Sequence, residues 1–242
     1  MNSTLIIVPT YNERENLPRM AEKLLSLPVA VDVLVVDDNS PYGTGNLADE
    51  LAARRPEIHV LHRAEKKGLG RAYIAGFQWA LEHGYEFIFE MDCDFSHDPN
   101  EIPAFLTAAK DADLVVGSRY TGGVRVVNWP LKWLLLSRCA GIYVWLVTGM
   151  PITDPTGGYK CFHRRALRSI NLEAVRSNGY SFQIEMTHRL WREGFKVAEV
   201  PITFTERVEG SSKLSRSIVI EAFWMVWWLW LQNGLRRSPR KR

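Results

Sequence analysis

Asp92 and Asp94 stand one residue apart in "FEMDCDFSHDP" (Phe89–Pro99), just past the apolar run "FIF". At i and i+2 of an extended segment their side chains share one side, with Cα atoms roughly 6.5–7 Å apart. Two carboxylates so placed repel unless a cation sits beside them. A hard divalent ion held by one or two carboxylates plus substrate phosphate oxygens is the usual way Mg²⁺ is bound. The competing reading is a helix start, and it suits Asp98, which precedes Pro99 and Asn100. His97 reads as a turn residue rather than a base.

Three more polar clusters follow apolar runs: "PTYNE" after "LIIV" (Leu5–Val8), "DDNSP" after "VLVV" (Val33–Val36) and "GSRY" after "DLVVG" (Asp113–Gly117). With "IHVL" (Ile58–Leu61) and "FIFEM" (Phe87–Met91), these runs read as strands. Helical patterns over Glu15–Leu27, Gly45–Arg54, Gly70–Glu82 and Asn100–Lys110 separate them, punctuated by Pro28, Pro56, Gly84 and Pro99. Such apolar strands with single helices between them predict an α/β fold with a mainly parallel central sheet covered on both faces. Ligands of such sheets bind beyond the carboxyl ends of the strands, where all four clusters fall. The turn after the first strand has no glycine and Gly68–Gly70 leads to Tyr73 rather than a third Gly, so neither a dinucleotide fingerprint nor a P-loop is present. Phosphates must then be held by side chains and metal.

The second half is less regular. "WPLKWLLLSRCAGIYVWLVTGM" (Trp129–Met150) predicts a long apolar helix, "PITDPTGGYKCF" a loop, Ser181–Arg192 a helix and Phe195–Thr205 a strand pair. "ERVEGSSKLSR" (Glu206–Arg216) is a polar loop, read as a lid. After it, Ile218–Leu231 is apolar apart from Glu221 and packs Trp224, Trp227, Trp228 and Trp230 into seven positions. Fourteen residues are too few to span a bilayer, which takes about 20. Tryptophans beside the terminal "RRSPRKR" suit a segment in the headgroup region; a core helix is the competing reading. Removing the five basic residues of that tail from the 30 in the chain leaves 25 against 27 acidic. The near-neutral body points away from nucleic-acid binding. Apolar residues at 46% and charged ones at 24% describe a globular protein. Cys93, Cys139 and Cys161 are widely spaced, which suggests a reducing compartment, and no signal peptide is read at the start.

Seven motifs in order, "PTYNERENL", "VVDDNSP", "KKGLGRAY", "MDCDFSHDP", "GSRY", "DPTGGYKCF" and "ERVEGSSK", resemble the family-2 glycosyltransferases of GT-A fold, a Rossmann-like architecture. More narrowly they resemble polyprenol-phosphate (dolichol-phosphate) mannose synthases, over about residues 4 to 216. The resemblance implies a catalytic domain over 1–216 and a membrane-interface segment over 217–242. It implies inverting transfer of mannose from GDP-mannose to a polyprenyl or dolichyl monophosphate, with Mg²⁺ or Mn²⁺. Pro9, Tyr11, Glu13, Val36 and Asp38 match nucleoside-binding positions, with Asp92, Cys93, Asp94 and Ser96 around the donor. Asp92, Asp94 and Ser96 match the metal positions. Arg119, Arg207 and Lys213 match positions of the nucleotide-sugar site that hold phosphates and, with Asp94, form the expected catalytic set. Lys132, Ser137 and Arg138 match the acceptor-phosphate region, although Trp133 stands where relatives often have Arg.

A phosphate monoester acceptor, with a second pKa of about 6, is largely dianionic at neutral pH and needs no general base. Asp154 and Glu185 are candidates for acceptor-side roles, Asp154 equally for a turn carboxylate. The implied setting is peripheral, on the cytoplasmic face of a membrane. Competing readings are the same chemistry with UDP-glucose, a nucleotide-sugar-binding protein without turnover, and a polysaccharide-making enzyme whose hydroxyl acceptor would need a carboxylate base.

Overall fold

The computed structural model describes residues 3–206 and 216–232. The first half runs β1 (Thr4–Thr10), α1 (Asn16–Leu25), β2 (Asp32–Asp37), α2 (Thr44–Arg54), β3 (Ile58–His62), α3 (Leu69–Glu82), β4 (Phe87–Glu90), α4 (Ile102–Ala109) and β5 (Leu114–Ser118). The second runs β6 (Val126–Val127), α5 (Leu131–Thr148), β7 (Lys160–His163), α6 (Arg164–Ser169), α7 (Gly179–Arg192), β8 (Val197–Pro201), β9 (Phe204–Thr205) and α8 (Arg216–Gln232).

The central sheet has the order β3-β2-β1-β4-β7-β5-β8. All its pairings are parallel except those of β7, which runs antiparallel between β4 and β5. Alternation along β1 divides the core. Ile6 and Val8 face Leu17 and Met20 of α1 and Phe105 of α4; Leu5 and Ile7 face Tyr73 and Phe77 of α3 and Phe182 of α7. All six residues of β2 are buried, which explains why it reads as a continuous apolar run. After β1 the chain winds outward to β2 and β3, then returns to place β4 on the other side of β1. That reversal opens a crevice at the carboxyl ends of β1 and β4, where such sheets bind ligands.

The mainly parallel α/β sheet agrees with the sequence reading; two details differ. "KCFH" is not loop but β7, the strand that joins β4 to β5 through pairs such as Phe89↔Cys161 and Val115↔Cys161. A second, two-stranded sheet pairs β6 with β9. Both depend on partners distant in sequence, which local pattern does not reveal.

α8 buries one edge and exposes the rest. Val226 and Leu229 pack with Val144, Met150, Ile184 and Trp191, while Trp224 is 65% exposed. Glu221, the one acid in its apolar run, accepts a hydrogen bond from the Asn178 amide at the start of α7.

His188 of α7 is buried, and burial beside Arg192 and Arg189 drives its pKa down to about 3. The unfolded chain, near 6.5, binds this proton first. Stability contributed by neutral His188 is therefore full above about pH 6.5 and falls progressively as pH drops toward 3. His188→Leu is expected to flatten this acid limb, measured as melting temperature against pH between 6.5 and 4. An unchanged slope would remove His188 as its cause.

Candidate active site

Three loops at the carboxyl ends of β1, β2 and β4 each contain a non-glycine residue in the left-handed region: Asn12 (φ 64°), Asn39 (φ 55°) and Phe95 (φ 59°). Asparagine tolerates that conformation; phenylalanine does so at a cost. At Phe95 the turn brings the Ser96 amide onto Asp94 Oδ1 at 3.0 Å. Arg19 lies over the Phe95 ring, 5.2 Å from its centroid, on the far side of the loop.

Asp92 and Asp94 are both half-buried, and buried Cys93 lies between them. Tyr73 of α3 donates to Asp92 Oδ1 at 3.2 Å. The Tyr73 ring is fully buried and stacked between Phe77 and Phe182, which makes it a rigid post for that carboxylate. The Cys93 thiol is pushed well up by burial and by Glu13, Asp94 and Asp92, which places Glu13 of the first loop beside the pair. Glu13 itself is held by the Asn16 side chain at 3.0 Å. Ser96 and His97 are buried, His97 stacking on Tyr159 at 4.9 Å as a turn residue would.

Among the described residues no three His, Cys, Asp or Glu side chains gather as a metal cluster. Two hard carboxylates fit Mg²⁺ or Mn²⁺ whose remaining positions are filled by ligand oxygens.

The nucleoside side follows from β1 and β2. Pro9 pairs in register with Val36, which is fully buried, and neither residue carries a charge. Tyr11 carries the Lys66 ammonium 3.5 Å from its ring centroid. Asp38 is buried and paired with Arg63; burial raises its carboxyl pKa and Arg63 draws it back. Asp37 is a structural anchor: its oxygens accept from Thr10 and Ser40 and fix the first two loops together. Lys66, Arg63 and Tyr73 were not singled out in the sequence, although Lys66 and Tyr73 lie within "KKGLGRAY".

Arg119, expected among the residues of the nucleotide-sugar site, follows the end of β5 and lines an apolar cavity instead of standing beside Asp92 and Asp94 in any contact described. Its Nε and Nη2 grip Asp154 at 2.7 and 2.5 Å, Nη2 also donates to Thr156, and its backbone amide donates to Asp154 at 3.0 Å. Asp154 is fully buried, so it is more than a turn carboxylate: it orients Arg119. The loop that brings it there needs Gly157, where a Cβ would lie 2.9 Å from the Gly117 carbonyl oxygen. Nη1 of Arg119 donates to nothing among the described residues and remains for a ligand.

Arg119 lines a cavity of about 240 Å³ between α5, α7 and α8. Its walls are mostly apolar, including Trp129, Trp133, Tyr143, Val144, Ile184 and Val226, with Ser137 among them. Arg119 is buried, whereas Leu136 and Phe223, which also line the cavity, are exposed. There Tyr143 stacks on Phe223 and donates to the Phe223 carbonyl at 2.9 Å, tying α5 to α8. Arg138 and Lys132 are exposed, their charges over Tyr120 at 4.6 Å and over Trp133 at 4.9 Å. Glu185 has a different place from the one expected. Its oxygens are taken by Arg189, at 2.8 and 2.6 Å, and by Ser177, so it locks α7 rather than meeting an acceptor. Arg207, Lys213 and the remainder of 207–215, which is the expected lid apart from its end residues Glu206 and Arg216, lie outside the described residues, as does the terminal basic tail.

An undecaprenyl-phosphate mannosyltransferase of Micrococcus luteus is 50% identical over 218 residues, 90% of each chain. A polyprenol monophosphomannose synthase of Mycolicibacterium smegmatis is 51% identical over 225 residues, 92% of this chain and 85% of that one. Among solved structures, glucosyl-3-phosphoglycerate synthase of Mycobacterium tuberculosis, with Mn²⁺, UDP and phosphoglyceric acid, superimposes with a TM-score of 0.66 at 15% identity. It covers 97% of this chain and 80% of its own. A mannosyltransferase of Pyrobaculum calidifontis, in complex with GDP-Man and Mn²⁺, gives 0.59 at 17% identity, covering 96% and 71%. These two likenesses establish the GT-A fold. The profile of glycosyl transferase family 2 matches residues 5–170, a span that takes in Asp92, Asp94, Arg119 and Asp154, and it is to this family that the chain belongs.

Proposed function

We propose that the protein transfers mannose from GDP-mannose to a polyprenyl monophosphate, with inversion and dependent on Mg²⁺ or Mn²⁺. The observation that carries this reading is the mostly apolar cavity that Arg119 lines. An anionic head beside an oriented guanidinium and a hydrocarbon tail among three helices describe a prenyl phosphate better than a sugar hydroxyl. The names of the two relatives that share half their residues with this chain support mannose and a polyprenyl phosphate.

In the reaction a phosphoryl oxygen of the acceptor attacks the anomeric carbon from the face opposite the donor pyrophosphate. The new bond joins that carbon to the acceptor oxygen, and the bond to GDP breaks with its electron pair leaving on GDP. No proton moves, because the nucleophile is already an anion. This suits a site in which both carboxylates considered for acceptor roles, Asp154 and Glu185, are committed to arginines. Tyr73 holds Asp92 and the Ser96 amide holds Asp94, so the donor end is set before ligand arrives. A divalent cation on this pair would supply charge neutralisation at the leaving pyrophosphate. Arg119, fixed by Asp154, aligns the acceptor phosphate.

The test is direct. Purified protein with Mg²⁺ and prenyl phosphate should move label from GDP-mannose, not UDP-glucose, into the organic phase. Greater transfer from UDP-glucose would change the donor, and none from either would leave a binding protein.

We further propose a peripheral site on the cytoplasmic face of a membrane. α5 is long and apolar enough to cross one by length and composition, yet its buried side, at Gly141, Val144 and Val147, rests on the protein body. Leu131, Leu135, Ile142, Trp145 and Leu146 of α5 are more than half exposed, as are Trp224 and Leu231 of α8. Together they make an apolar surface at the cavity mouth, suited to the interface that holds the lipid acceptor. The three free thiols, Cys93, Cys139 and Cys161, fit a reducing compartment. Trp145→Ser and Trp224→Ser should each weaken binding to anionic vesicles on the order of tenfold. The melting temperature should stay unchanged. Equal co-sedimentation of the double variant and the parent would exclude this surface.

A further inference from the structure

Tyr120 follows Arg119 directly, yet nothing above gives it a task. It is 7% exposed, and both arginines of the acceptor side rest on its ring: Arg119 lies 5.4 Å and Arg138 4.6 Å from the centroid. One of these cations is buried on Asp154; the other reaches in from the exposed side of α5. A shared aromatic face lets two like charges gather where they would otherwise repel.

The hydroxyl is the more telling part. Tyr120 Oη is buried and has no hydrogen-bond partner among the described residues. The same holds for Ser137 Oγ, and Ser137 lines the cavity together with Arg119. The two hydroxyls are close enough for Ser137 to ease ionisation of the phenol, though not in hydrogen-bonding geometry. Burial nevertheless pushes the Tyr120 phenol up, so it stays protonated and can donate. Buried hydroxyls without partners are rare in folded proteins unless a ligand or water meets them. Here one of them belongs to the ring that carries the guanidinium groups of Arg119 and Arg138, and the other lines the cavity with Arg119. The set is complementary to the three oxygens of a phosphate monoester.

We propose that Tyr120 is an acceptor-phosphate ligand: its hydroxyl donates to a phosphoryl oxygen of the prenyl monophosphate, while its ring holds Arg119 and Arg138 in position. This deepens the proposed function and rests on it. The hydroxyl and the ring have separable roles. Tyr120→Phe removes only the donor and keeps the cation–π face; Tyr120→Leu removes both.

The experiment uses the full chain, a short-chain prenyl monophosphate and GDP-mannose. For Tyr120→Phe, the KM for prenyl phosphate should rise roughly tenfold, the value of one charge-assisted hydrogen bond. The KM for GDP-mannose and the melting temperature should not change. Calorimetric titration with prenyl phosphate alone should show the same loss of affinity. Tyr120→Leu should lose considerably more and shift Arg138→Ala from harmful to neutral, because the ring that carried Arg138 is gone. An unchanged acceptor KM in Tyr120→Phe would overturn the proposal, as would a parallel rise in both KM values with a lower melting temperature. If the parent transfers mannose normally, either result refutes the role of Tyr120 alone. A parent that does not bind prenyl phosphate refutes the proposed function as well.

Discussion

Asp94→Asn is expected to lower mannosyl transfer by about three orders of magnitude or more while leaving the fold unchanged. The side chain sits in a turn already formed without ligand: its Oδ1 accepts the Ser96 amide, and an asparagine Oδ1 can accept the same bond. The substitution therefore removes charge and spares geometry. Charge is what a cation between carboxylate and pyrophosphate requires, since a neutral amide is a poor ligand for hard divalent ions. Asp92→Asn should be less damaging. Its amide oxygen can still accept from Tyr73, and one full carboxylate would remain at position 94. The checks are transfer rate, circular dichroism, and calorimetric titration with Mn²⁺ in the presence of GDP. Near parental turnover by Asp94→Asn at ordinary Mg²⁺ would remove the metal from this position.

The donor half of the site was legible in sequence because parallel strands buried on both faces read as unbroken apolar runs. Their ends were therefore visible, and the polar clusters beyond them had to share one edge. The acceptor half was less legible for a physical reason. Asp154 and Arg119 lie 35 residues apart and mean little separately; burial and the two-pronged contact make them one unit. Nothing local distinguishes Asp154 from a turn carboxylate or Glu185 from an acceptor-side acid, yet Arg189, one helical turn on, neutralises Glu185 in place. β7 was hidden because its four residues gain their strand character from β4 and β5. α8 is apolar nearly all round, so its sequence could not say which edge is inside. Tertiary contact settles it: Val226 and Leu229 are buried and Trp224 is not. Removing the whole C-terminal segment would consequently disturb the core and the cavity together, which is why single exposed tryptophans make the sharper probe of membrane binding.

The second large effect is expected at Arg119. Arg119→Lys should reduce kcat/KM for prenyl phosphate by roughly 10²–10³-fold, nearly as much as Arg119→Met, although charge is conserved. The reason is geometric. The guanidinium uses Nε and Nη2 on Asp154 and keeps Nη1 for the ligand, whereas an ammonium offers one nitrogen for both tasks. GDP affinity, measured separately, should stay at the parental value because the proposed function sets Arg119 against the acceptor phosphate. Stability and function can then be pulled apart. Arg119→Met leaves Asp154 charged, fully buried and without its cation, which costs about 3–5 kcal/mol. Adding Asp154→Asn removes that stranded charge and retains an oxygen for the Arg119 backbone amide, now carried by Met. The double variant should therefore recover most of the lost melting temperature and none of the transfer. If activity returned along with stability, the pair would be scaffolding only. If the double variant were as unstable as Arg119→Met, the cost would lie in lost packing around the guanidinium rather than in the unpaired carboxylate.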